Sequence, residues 1–119
     1  MLRTMLKSKI HGATVTESDL NYVGSISIDC KLIREAGFLP FEKVLVVNLS
    51  TGARAETYVL EAPEGSGTIG LNGGLSRKGS VGDRILIFSF VQIDDAEARE
   101  FRPKILILDN EENKIQSLD

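Results

Sequence analysis

The chain has 119 residues, a formal net charge of −3, and 42% hydrophobic against 26% charged residues. That is one domain's worth of sequence, able to bury roughly two-thirds of the surface its unfolded chain exposes; its charges are mixed, with no Lys/Arg block to form a nucleic-acid footprint. A single cysteine, Cys30, and a single histidine, His11, exclude an internal disulfide and a Cys/His zinc site within one chain.

No metal is therefore expected. The longest apolar stretch, Ile85 to Val91, is far too short to span a bilayer, and residues 1–7 lack the apolar run of an export signal. These readings point to a cytoplasmic protein with no membrane and no nucleic-acid partner.

Short β-branched runs separated by Gly, Asn, Asp and Ser predict strands at Arg3–His11, Ala13–Thr16 and Ser27–Ile28. Asp29 is placed to cap a helix over Lys31–Ala36, with Gly37 as a left-handed stop and Pro40 just beyond. Lys43–Asn48 and Arg54–Glu61 read as strands joined by the tight turn Ser50-Thr51-Gly52. Thr68–Leu71 and Arg84–Ile93 follow. Asp94 and Glu97 form an Asp version of the capping box for a second helix, which ends near Arg102 because Pro103 disfavours helical geometry before it. Ile105–Leu108 and Lys114–Gln116 close the chain, with a looser turn from Asp109 to Asn113. Many short strands and two brief helices in a single domain, 1–119, suggest a closed β-barrel, since closure removes exposed edges.

The absences narrow the chemistry. There is no phosphate-binding Gly-rich loop with Lys-Ser/Thr, no dinucleotide fingerprint, and no Gly-x-Ser-x-Gly elbow. Gly65-Ser66-Gly67 and Gly70-Leu71-Asn72-Gly73-Gly74 read as turns, because neither leads into a convincing helix start. Lys9 and His11 alternate on one strand, so they share a face. Tyr22-Val23-Gly24-Ser25 follows a polar stretch, and Arg54, Thr57 and Tyr58 sit on a later strand. Singly, each has an ordinary explanation: a solvated lysine, a hydrogen-bonded strand-end histidine, a turn, an amphipathic tyrosine, an arginine stem lying over the surface.

Together, Lys9-Ile10-His11, Tyr22-Val23-Gly24-Ser25, Asn48 to Arg54, Thr57-Tyr58 and Asn72-Gly73 resemble, in order and spacing, the pattern of bacterial aspartate 1-decarboxylases. The likeness runs from Met1 to about Pro103. Its most specific piece is Tyr-x-Gly-Ser at this distance from Lys-x-His, with Arg-x-x-Thr-Tyr downstream. The resemblance implies a small six-stranded double-psi β-barrel, a homotetramer, and a covalent pyruvoyl group derived from Ser25. It further implies self-cleavage at Gly24-Ser25 into a β chain, 1–24, and an α chain, 25–119. The implied reaction converts L-aspartate to β-alanine and CO2 for pantothenate and coenzyme A, through a substrate imine with the pyruvoyl group. An accessory maturation protein is a further partner to consider.

The residue types suit that chemistry. Losing a carboxylate from an amino acid leaves a carbanion, so an electron sink is wanted, and the chain shows no cup for pyridoxal phosphate. A serine hydroxyl beside its own peptide carbonyl can make a ketone instead, and Gly24 offers backbone freedom and no side chain in the path. By the resemblance, Thr57 donates to the oxyanion of the shift and Tyr58 is the proton donor; a phenol is protonated at neutral pH. Arg54 and Lys9 are the cations for the two carboxylates. Gly73, Gly74 and Leu75 contact substrate, with His11, Tyr22 and Asn72 in support. Asn72-Gly73-Gly74-Leu75-Ser76-Arg77 departs from the usual Asn-Gly-Ala-Ala-Ala-His, which touches the substrate loop and not the cleavage machinery. A hydrolase using Ser25 and His11, or a non-enzymatic β-barrel binding module, are the competing readings.

Overall fold

In the computed structural model, which describes residues 1–109 and 112–119, one long strand organises the rest. Strand β1, Leu2–Thr14, buries Ser8, Ile10 and Ala13 while Lys9 and His11 stay on the outer face. It pairs antiparallel with β7, Arg84–Asp94, and parallel with β8, Lys104–Leu108. The two runs expected on either side of Gly12 are one strand: the β1–β7 register shifts between His11 and Ala13, so a bulge absorbs the extra residue and the ladder continues.

The remaining strands are β2 (Glu17–Asp19), β3 (Ser25–Asp29), β4 (Lys43–Asn48), β5 (Arg54–Ala62), β6 (Ile69–Asn72) and β9 (Ile115–Leu118). They form a sheet of order β2-β6-β3-β5-β4-β7-β1-β8-β9. Seven of these strands send side chains into one core, among them Ile10, Ile26, Val44, Val59, Ile69, Ile85 and Leu106, each at most 1% exposed. A sheet whose inner face shares one core must curl, and each such side chain contributes about 1.5–3 kcal/mol on burial. The fold is mainly β, as expected. Nine strands are described where the family likeness implied six, and among the described residues no ladder joins β2 to β9.

Helix α1, Cys30–Ala36, starts one residue before its expected position. Asp29 caps it, its carboxylate accepting from Lys31 N at 2.8 Å and also from Gly65 N and Gly67 N. Gly37 is the left-handed stop, with φ 79°. Helix α2, Asp95–Ala98, is shorter than expected. Asp94 accepts from Ala96 N rather than Glu97, so the capping box does not form. The segment then tightens into i→i+3 bonds, Glu100 N to Glu97 O and Phe101 N to Ala98 O, well before Arg102. Strand β2 and a 3-10 helix over Gly73–Lys78 were not expected. The expected Asp109–Asn113 turn falls partly on residues 110 and 111, outside the described residues.

Candidate active site

Strand register brings Ser25 to Asn72, Thr57 and Tyr58. Ser25 opens β3, which lies antiparallel to β6 with Ser25 opposite Asn72, and parallel to β5 with Ile26 opposite Val59. One step back along the parallel pair sets Gly24-Ser25 beside Thr57-Tyr58. Thr57 alternates with buried Val59 and faces inward; Tyr58 faces outward, its ring stacked on Phe41 with centroids 6.3 Å apart. Gly24, Ser25, Thr57, Tyr58, Gly74 and Leu75 line a cleft of about 420 Å³.

Ser25 is fully buried. Its Oγ donates to Val23 O at 2.9 Å and accepts from Asn72 Nδ2 at 3.0 Å. The same amide nitrogen donates to Ser27 Oγ at 2.8 Å. Asn72, itself 5% exposed, therefore holds the Ser25 hydroxyl directly. Ser27 was missed, although a Ser-x-Ser alternation on one strand face was the signal for it. Gly24 lies outside the left-handed region, and a Cβ there would meet nothing within 4 Å. The conformational demand expected at position 24 falls on Gly73, whose backbone rests against Gly24.

Other expected residues do not meet the cleft within one chain. Lys9 lies opposite Phe88, Phe88 opposite Leu45, and Leu45 opposite Glu56. Three ladder steps of about 4.8 Å place it about 14 Å from β5 along the outer face. Its Nζ sits over the Phe88 ring, 5.3 Å from the centroid. His11 is opposite Leu86 and Ile107 and has no hydrogen bond to Ser25 among the described residues. Burial holds its pKa below the usual 6.5, with Lys9 and Arg84 adding to the effect. A Ser25–His11 hydrolase would have no base in place. Arg54, opposite Val47, is four residues and about 13 Å from Tyr58 along β5. Tyr22 is half exposed. Among the described residues, Lys78, unforeseen from sequence, is the cation that lines the cleft.

A larger cavity, about 520 Å³, lies beside Asp29, Gly65 and Lys114. None of the expected site residues reaches it, and Asp29 already accepts from three backbone amides. Size is therefore a poor guide here. Among the described residues no group of three His, Cys, Asp or Glu side chains could hold a metal ion, and no helix is long and apolar enough to cross a membrane.

The profile of the aspartate decarboxylase family matches residues 1–116. An aspartate 1-decarboxylase of Pelotomaculum thermopropionicum is 55% identical over 115 residues, covering 97% of this chain and 86% of its own. Those of Carboxydothermus hydrogenoformans and Bacillus subtilis are 50% identical over 115 residues and 49% over 118. They cover 97% and 99% of this chain, and 90% and 92% of their own. The match passes Pro103, so β8 and the first residues of β9 fall within the shared pattern.

Proposed function

The chain belongs to the aspartate decarboxylase family, and from that premise we propose that this carboxy-lyase converts L-aspartate to β-alanine and CO2 with a pyruvoyl group made from its own Ser25. The product would feed pantothenate and coenzyme A synthesis. The observation that carries the reading is the buried Ser25 hydroxyl, held by Asn72 and Val23 O beside its own peptide bond and opening on a cleft with Thr57 and Tyr58.

Self-cleavage begins when Ser25 Oγ attacks the Gly24 carbonyl carbon. The Gly24–Ser25 C–N bond breaks, the hydroxyl proton passes to the departing nitrogen, and an ester remains. Thr57 donates to the oxyanion of this shift, a contribution of about 3–4 kcal/mol. Loss of the Ser25 Cα proton expels the Gly24 carboxylate with the C–O electron pair and leaves dehydroalanine. Water adds, ammonia leaves, and the new terminus of residues 25–119 is a ketone. One water is consumed and one ammonia released.

Position 25 fits such a group. It opens β3, held by β5 and β6 on either side, with the Asn72 amide already at hydrogen-bond distance and the cleft beside it. The group supplies an electron sink for the pair left when CO2 departs. Tyr58 delivers the proton to the carbon that lost its carboxylate. Gly73, Gly74 and Leu75 border the substrate. Lys9 and Arg54 bind its carboxylates from outer faces, an arrangement supporting assembly as a homotetramer in which one copy's surface meets another's cleft. Val23, Leu39 and Phe41, all at least 67% exposed, offer apolar area for such contacts.

Intact-mass measurement of freshly purified protein tests the reading. Two fragments, 1–24 and 25–119, are expected, the larger trapped as an aspartate adduct by borohydride, and Ser25→Ala should stay whole and inactive. Active wild-type protein recovered as one unbroken chain sinks the proposal. A chain that cuts only on addition of a second protein would assign maturation to that accessory factor.

A further inference from the structure

Residues 20–24 form an exposed turn: Leu20, Tyr22 and Val23 are each at least half exposed, and none belongs to the core. Asp19 fixes the start of the turn, accepting from Asn21 N at 2.9 Å. At its end the buried Ser25 hydroxyl donates to Val23 O at 2.9 Å, but Gly24 between them has no side chain to anchor it. It has backbone contact instead. Gly73 lies at φ 62°, and a Cβ built there would fall 2.7 Å from Gly24 Cα, 2.8 Å from Gly24 N and 3.0 Å from Tyr22 O. All three are backbone atoms, so no side-chain rotation relieves the crowding. Only a bare α-carbon lets the two segments touch.

The neighbouring Asn72 holds the other reactant, the Ser25 hydroxyl, at 3.0 Å. Two adjacent residues thus fix the two halves of one reaction: Asn72 holds the attacking oxygen, and Gly73 seats the residue whose carbonyl is attacked. We infer that Gly73 is a positioning residue for self-cleavage at Gly24-Ser25, acting through its backbone seat under Gly24. This deepens the self-cleavage proposal and rests on it. Orientation is the physical content, since a misplacement of about 1 Å between reacting groups can cost about 100-fold in rate.

Three variants separate the seat from simple backbone strain. Asn accepts positive φ better than other side chains but carries a Cβ, so Gly73→Asn tests the contact with little conformational penalty. Gly52→Asn is the matched control: Gly52 has φ 77° and nothing within 4 Å of a built Cβ. Gly65→Asn, at φ 79° with the same open space and away from the cleft, is a second control. Cleavage is followed by intact mass and folding by circular dichroism melts on the same samples. Gly73→Asn should fold and cut about 100-fold more slowly than wild type, while both controls cut within a few-fold of it. Gly73→Asn cutting at the wild-type rate overturns the inference. So does its failure to fold, because the contact would then hold the barrel and not the scissile segment. Wild-type protein that never cuts would instead remove the parent proposal.

Discussion

On the proposed mechanism, replacing Tyr58 with phenylalanine separates the making of the catalyst from its use. The Tyr58 hydroxyl makes no hydrogen bond among the described residues, while its ring stacks on Phe41 at 6.3 Å with 28° between planes. Tyr58→Phe keeps that stack and removes only the hydroxyl that carries the proton. Stability should shift by no more than about 0.5 kcal/mol, as for a substitution that breaks no buried contact. Cleavage should proceed at the wild-type rate, because Ser25, Asn72 and Thr57 keep their places. Turnover should fall by about 10²–10⁴, the usual contribution of a positioned general acid. At 1.36 kcal/mol per decade, that is about 2.7–5.4 kcal/mol of barrier. The assay is CO2 release from aspartate, normalised to the cleaved fraction by mass. Normalised turnover within about threefold of wild type would mean another group delivers the proton. An uncut Tyr58→Phe chain would place the phenol in the cleavage step, contrary to the geometry.

Thr57→Val keeps the shape and removes the donor, so cleavage should slow by about 10²–10³; an unchanged time course by intact mass would put oxyanion stabilisation elsewhere. Asn48→Ala removes a buried hub that accepts from Ser50 N and donates to Lys78 O at 3.0 Å and Asp83 Oδ2 at 2.9 Å. Denaturant unfolding of this variant should show a loss of about 2–4 kcal/mol, and a loss under about 0.5 kcal/mol would refute that accounting. His11 has its pKa lowered in the fold, so its neutral form is favoured there. Its contribution is intact above the unfolded value of 6.5 and fades as pH falls from there through the folded pKa. His11→Asn should flatten the stability profile in that window, and an identical slope in wild type and variant would show that other groups set it.

Sequence patterning carried most of the fold, for a local reason. Runs such as Arg84–Ile93 alternate burial at the period of a strand, and Asp29 and Gly37 mark helix ends through their own hydrogen-bonding and φ. Strand β2 escaped because Glu17, Ser18 and Asp19 are all exposed, leaving no apolar residue to set a period. The 3-10 helix escaped because it opens on Gly73-Gly74, a pair that reads as a turn, and its cap residue Asn72 makes no side-chain cap bond. The Asn72 amide nitrogen donates to Ser25 and Ser27. Lys9 and Arg54 were grouped with Ser25 by motif alone, and spacing along a chain does not report the number of ladders between two strands.

The proposed cleavage point lies at the junction of an exposed turn and a buried strand, and that position governs what cutting would do to the fold. On one side Ser25 is fully buried and flanked by two ladders; on the other, Val23 is 67% exposed. Residues 1–24 carry β1, which pairs with both β7 and β8, and they send Ile10 and Ala13 of that strand and Val15 just beyond it into the core. Burial of Ile10 and Val15 alone contributes about 3–6 kcal/mol, before any ladder bond is counted. The cleaved fragments should therefore stay together as one folded body. Under native conditions they should elute as a single species, separating only when denaturant unfolds the core. If the short fragment leaves the long one on dilution in buffer while the remainder keeps its strand signal, β1 is not the structural staple its burial implies.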